Sequence, residues 1–212
     1  MRVIRAADRT VLDIVSEVAA CVRSGGTIIF PTETVSGIGC APEDEPAIDA
    51  IFRAKGRATD KPLALHIADR FQAQAYVAAL NSYALEAMER LWPGPVAIIV
   101  RRNAARFERA SGGFATISLR CPDDDLCNAI LRAAGPLAAT SANRSGHPPF
   151  TGDAADLCDL PEATLVVLAG PTTLGRESTI IDCAGESPLV VREGAVSASR
   201  IWEKLGTSPP AR

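Results

Sequence analysis

Residues 11–39 read VLDIVSEVAACVRSGGTIIFPTETVSGIG. Val11, Ile14, Val15, Val18, Ala19 and Val22 recur at helical spacing, with Asp8 or Thr10 available as N-cap and Gly25-Gly26 as the stop. Thr27–Phe30 follows as a short apolar strand, and Pro31 ends it. The hydroxyls and glycines of PTETVSGIG then read as a loop. A helix feeding a strand that opens into a polar loop is a unit of α/β proteins, and ligand sites collect at such strand ends.

Working outward, the pattern predicts a helix over Pro46–Lys55, a strand over Leu63–Ile67, and helices over Asp69–Leu80 and Tyr83–Leu91. Trp92-Pro93-Gly94-Pro95 forces a turn before a strand at Val96–Val100. Thr116–Leu119 (strand), Asp124–Ala134 (helix) and Leu137–Ala139 (strand) come next. Leu165–Leu168, Thr179–Asp182 and Leu189–Arg192 are strands with little helix between them, and Ser197–Leu205 is a last helix. Helices alternate with strands early and strands gather late. The expected fold is therefore α/β: a single domain with an open, twisted, mixed parallel/antiparallel sheet covered by helices. A purely parallel sheet does not fit, because the late strands are too closely spaced for helical crossovers. The domain is expected to span 1–205, leaving 206–212 as a tail.

Composition narrows the function. The 212 residues carry a formal net charge of −3, with 47% hydrophobic and 22% charged residues. A chain of this length buries roughly 70% of its unfolded surface in one domain. No run approaches a membrane span, and the opening MRVIRAADRT is too polar for a signal peptide, which predicts a cytoplasmic protein. The six scattered cysteines include no C-x-x-C pair and read as apolar fillers in a reducing compartment. With only His66 and His147, a multi-histidine metal site is excluded. A P-loop, a dinucleotide fingerprint, H-E-x-x-H and G-x-S-x-G are all missing.

Three positive signals remain. Lys55, Arg57 and Lys61 form a cation cluster in an acidic chain, between a helix and a strand ending near His66. Arginine forks onto phosphate or carboxylate and lysine adds a point charge, each charge-assisted bond worth about 1.5–3 kcal/mol. The segment TSANRSG, Thr140–Gly146, follows a strand and offers hydroxyls and an amide to phosphate or ribose oxygens, or else forms an Asx turn. Arg120, Ser178 and Arg192 stand at strand ends and would make a common pocket anion-selective. Glu33 reads equally as a base, a metal ligand or a loop-fixing carboxylate.

Taken in order, PTETVSGIG, AKGR with PLALH, LWPGP, TISLRCP, PLAATSANRSG, ESTIID and VVREG resemble the YrdC-like family across nearly the whole chain. Its short single-domain members are threonylcarbamoyl-AMP synthases. The family's K-x-R plus S-x-N tetrad falls on Lys55, Arg57, Ser141 and Asn143, all intact. The resemblance implies that L-threonine, bicarbonate and ATP, with Mg2+ accompanying the nucleotide, give threonylcarbamoyl-AMP and pyrophosphate. Partner proteins would then use the adenylate to modify tRNA. By motif, Thr34, His66, Arg120, Ala139 and Ser178 match positions holding threonine. Lys55, Arg57, Lys61, Thr116, Ser141, Asn143 and Arg192 match positions around ATP. The implied chemistry holds a carboxylate and a triphosphate close together, which needs fixed cations and no side-chain nucleophile.

Four positions depart from the family pattern. Ser36 stands where tyrosine is usual, Ala58 where proline is common, Lys61 where a polar uncharged residue is frequent, and Pro149 where a serine often meets the nucleotide. The long members' extra C-terminal domain is not expected here, and a lid is expected to come from loops or a partner. Two other readings stand beside the synthase. One is a module that binds tRNA or double-stranded RNA without chemistry, which the acidic pI near 5.5 disfavours. The other is a related carbamoyl-adenylate enzyme with a different acceptor, which Ser36 keeps open.

Overall fold

The computed structural model describes residues 1–208, and the last four residues of the expected tail lie outside the described residues. Among the described residues, five α-helices are α1 (Val11–Arg23), α2 (Glu45–Lys55), α3 (Ser82–Leu91), α4 (Asp125–Ala134) and α5 (Ala198–Leu205). The strands are β1 (Arg2–Arg5), β2 (Ile28–Phe30), β3 (Gly37–Cys40), β4 (Ala64–His66), β5 (Val96–Arg101), β6 (Thr116–Arg120), β7 (Leu137–Ser141), β8 (Leu165–Leu168), β9 (Thr179–Asp182) and β10 (Leu189–Arg192). They form one sheet in the order β1-β8-β2-β3-β7-β4-β6-β5-β9-β10. The β1–β8, β2–β8, β4–β6 and β5–β9 pairs are parallel and the remaining five antiparallel, so the sheet is mixed as expected. The late strands need no helical crossovers, because β9 and β10 pair directly and β8 returns to the opposite side of the sheet.

Three segments differ from the expectation. Gly37–Cys40 is a fully buried strand in the sheet, not the end of a loop. A Cβ at Gly37 would lie 2.9 Å from the Phe30 ring, and one at Gly39 would lie 3.0 Å from the Ala139 Cβ. These glycines serve close approach across neighbouring strands, a use that composition does not separate from a turn. Arg2–Arg5 forms an edge strand with only Ile4 buried, too short and too charged to stand out. The helix expected over 69–80 is a short 3-10 turn at Arg70–Ala75. Only Ala73 is buried in it, so no apolar stripe continues the helix.

The two faces of the sheet are covered differently. Ile38, Ile98, Val100, Ile117, Leu119 and Ile181 pack against α2, α3 and α5. Ile28, Phe30, Leu137, Leu165 and Val167 pack against Ile14, Val18 and Val22 of α1 and Ile130 and Leu131 of α4. Each such buried aliphatic side chain contributes about 1.5–3 kcal/mol. On this second face the strands beyond that cluster bear mostly small or polar side chains, with Ile99 and Ile180 beside them, and they floor an open cleft of about 170 Å³.

Candidate active site

Strand alternation creates the cleft. In β6, Ile117 and Leu119 point into the core while Ser118 and Arg120 line the cleft. In β4, Leu65 is core while Ala64 and His66 line the cleft. The register sets His66 beside Arg120 and Ala64 beside Ser118. Ala139 and Ser141 of β7 continue the floor.

At one end the PTET loop is wired onto Arg120. The Arg120 Nη2 donates to Glu33 Oε2 at 2.6 Å, Nη1 to Thr34 Oγ1 at 2.8 Å, and Nε to the Gly94 carbonyl at 3.4 Å. Both members of the ion pair are buried, at 5% and 7% side-chain exposure. Thr32 Oγ1 lies 2.9 Å from Thr34 Oγ1 and donates to the Val35 carbonyl at 2.7 Å, which holds the loop. Three of the five guanidinium N–H groups are thus used, and two remain for a ligand. A fork with two free N–H groups beside a hydroxyl suits a carboxylate. His66 stands next to it with the Phe30 ring edge-on at 5.7 Å. Burial first, then the Arg120 charge, push the His66 imidazole down to about 3, so it stays neutral at physiological pH.

The other end is built on Lys55. α2 closes on Gly56 in the left-handed conformation, which leaves Lys55 inside and turns Arg57 toward the cleft. Lys55 is only 3% exposed, and its ammonium donates to the Ser141 carbonyl, the Asn143 carbonyl and Asn143 Oδ1. Ser141 Oγ donates to the same Asn143 Oδ1 at 2.6 Å. Burial and the Arg57 charge lower Lys55 to about 8, which still leaves it protonated at pH 7. Its three donors are consumed by the TSAN loop, so it fixes that loop in place and does not reach into the cleft. Arg57 is held by the carbonyls of Lys61 and Pro62, at 3.3 and 3.0 Å. Arg192 donates to the Ser178 carbonyl at 2.8 Å and pairs with Glu177 at 3.2 Å, both half-exposed.

The cleft therefore brings together Thr34, His66, Arg120, Ala139 and Ser178 with Arg57, Ser141 and Arg192. Lys55 and Asn143 stand behind its wall. Lys61 is exposed, and neither it nor Thr116 at the outer end of β6 lines the cleft. Ser36 lines it, while Ala58 and Pro149 do not. Sequence reasoning singled out Glu177 beside Ser178 but passed over Ser118 and the part of the floor formed by Ala97, Ile99 and Ile180. The signal for Ser118 was the polar period of two in TISLR, within a strand whose other face is wholly apolar. Among the described residues no group of three or more His, Cys, Asp or Glu is placed to hold a metal ion. No helix among them is long and apolar enough to cross a membrane.

Comparison with known proteins adds three kinds of likeness. The Sua5_yciO_yrdC family model, described as telomere recombination, matches residues 20–194. The chain is 36% identical over 195 residues to the threonylcarbamoyl-AMP synthase of Bacillus subtilis, covering 91% of this chain and 56% of that protein. To the threonylcarbamoyl-AMP synthase of Thiobacillus denitrificans it is 38% identical over 168 residues, 78% of this chain and 88% of that one. The chain thus spans just over half the length of the first relative and most of the second. Its fold superposes on the crystal structure of P. abyssi Sua5 complexed with L-threonine with a TM-score of 0.88. That match has 31% identity and covers 98% of this chain and 61% of that chain.

Proposed function

The chain belongs to the Sua5/YciO/YrdC family, and on that premise we propose that it is a threonylcarbamoyl-AMP synthase acting on L-threonine, bicarbonate and ATP. The observation that carries this reading is the pairing, in one cleft, of an Arg120–Thr34–His66 end with an Arg57–Ser141–Arg192 end. The first suits an amino-acid carboxylate, and the second suits phosphates.

In this reading the threonine carboxylate docks on the two free N–H groups of Arg120, with Ser178 across from it. Neutral His66 accepts or donates one hydrogen bond without adding charge. The threonine nitrogen, as free amine, bonds to the bicarbonate carbon, the C–OH bond breaks, and the hydroxide takes the proton that the nitrogen gives up and leaves as water. A carbamate oxygen then attacks the α-phosphorus. The bond from that phosphorus to the bridging oxygen breaks, and pyrophosphate departs with the electron pair. Arg57 and Arg192 stabilise the departing charge, and the Lys55-fixed loop presents Ser141 to the nucleotide. Mg2+ would enter on the phosphates, its customary ligands, as part of the substrate. The adenylate would pass to partner proteins that modify tRNA in the cytoplasm.

The test is pyrophosphate release with ATP, bicarbonate and L-threonine, each omitted in turn and threonine replaced by serine, valine and alanine. Release that needs all three and prefers threonine is expected. Turnover without threonine or bicarbonate, or equal turnover with the other amino acids, would overturn the reading; Ser36 in the cleft wall makes the last comparison informative.

A further inference from the structure

The floor of the cleft is ordered in rows. Along β6, Arg120, Ser118 and Thr116 share one face at two-residue steps, so successive rows lie about 6–7 Å apart. Along β7 the same rows pass through Leu137, Ala139 and Ser141. The row of Arg120 and His66 belongs to the carboxylate end, and the row of Ser141 belongs to the phosphate end. Between them runs a middle row of Ala139, Ala64, Ser118 and Ile99, neighbours by strand register. Three of the four offer only hydrocarbon. Ser118 is the exception: the residue is half-buried and lines the cleft, and its hydroxyl, covered in the empty site, has no hydrogen-bond partner among the described residues. A buried hydroxyl left without a partner destabilises the empty fold and is retained where a ligand completes it.

We propose that Ser118 Oγ–H donates a hydrogen bond to an oxygen of the carboxylate derived from bicarbonate. This rests on the synthase reading, in which the product runs from threonine through a carbamoyl group to the α-phosphate. The group in the middle of that chain lies over the middle row of the floor. Ser118 holds the carbamate there without supplying a charge that would blunt its attack on phosphorus. It forms and breaks no covalent bond.

The test is Ser118→Ala in the full chain, measured beside the wild type for steady-state pyrophosphate release in degassed buffer. Each substrate is varied with the other two saturating. The variant is expected to lose about tenfold or more in kcat/KM for bicarbonate, as removal of a hydrogen bond to a charged group does. Its KM values for threonine and ATP are expected to stay within about twofold of wild type. Its unfolding midpoint without ligands is expected to equal or exceed that of the wild type, because the substitution removes an unpartnered buried hydroxyl. An unchanged bicarbonate dependence overturns the inference. So does a loss confined to threonine or ATP, or a lowered midpoint, which would mark Ser118 as structural. A wild type without bicarbonate-dependent release removes the synthase reading and this inference together, whereas a normal variant beside an active wild type removes this inference alone.

Discussion

The two ends of the cleft hold their cations in opposite ways. Arg120 is buried, and its partners Glu33, Thr34 and Gly94 come from loops that precede β3 and β5. Arg57 and Arg192 lie nearer solvent, the first anchored by backbone carbonyls and the second by a carbonyl and a half-exposed carboxylate. A buried guanidinium is tolerated only with its partners in place, so at that end the binding group is also part of the fold. At the other end the binding groups are nearly independent of stability, since exposed ion pairs contribute little. The Arg120 end comes preassembled, while the Arg57–Arg192 end, in the proposed reading, relies on charge that an arriving nucleotide would complete.

Glu33→Gln is the strongest way to break this contrast. It leaves Arg120 charged and buried without its anion, and a destabilisation of about 3–5 kcal/mol is expected by denaturant unfolding. An unfolding free energy within about 1 kcal/mol of wild type would show that the two ends do not differ as described. Arg192→Ala sharpens the other side. Its stability is expected to stay within about 1 kcal/mol of wild type while ATP-dependent turnover falls about tenfold or more. A large stability loss with normal turnover would reverse the assignment.

The smallest expected effect is on pH dependence. Lys55 is lowered to about 8 by burial and by Arg57, so it carries its proton below that pH and loses it above. Neutral Lys55 keeps two N–H donors for three acceptors, and the TSAN loop loosens. Turnover is therefore expected to fall as pH rises through about 8, seen as an alkaline limb in the pH–rate profile. His66, held down at about 3, contributes no limb between pH 5 and 8. A profile flat to pH 10 would show that the loop does not depend on the ammonium.

The helices were legible because their apolar stripes and caps are local. Thr10, Asp44, Asn81, Asp124 and Ser197 each accept a hydrogen bond from a backbone N–H in the first turn of a helix. β8, β9 and β10 were legible with the same bounds, since each is a compact apolar run between polar or glycine-rich segments. β3 was not, because the reason for Gly37 and Gly39 is the Phe30 ring on the neighbouring strand. The site divides in the same manner. Lys55, Arg57, Ser141 and Asn143 announce themselves by motif, but the motif does not say that Lys55 faces the loop. Glu33 stayed undecided until its partner, Arg120, was visible at 2.6 Å.

By itself, then, the sequence determined most of the element order, though not β1, β3 or the 3-10 turn at Arg70–Ala75, together with the mixed character of the sheet and most of the chemical groups available for a ligand. Those follow from spacing, caps and residue type, which act within a few positions of the chain. Only the tertiary structure decided which groups share a cleft, which cation is consumed internally and which hydroxyl is left waiting. Strand register across β7, β4, β6 and β5 sets these outcomes, and register joins residues far apart in the chain. A one-residue slip in β6 would exchange Ser118 and Arg120 for Ile117 and Leu119 on the cleft face.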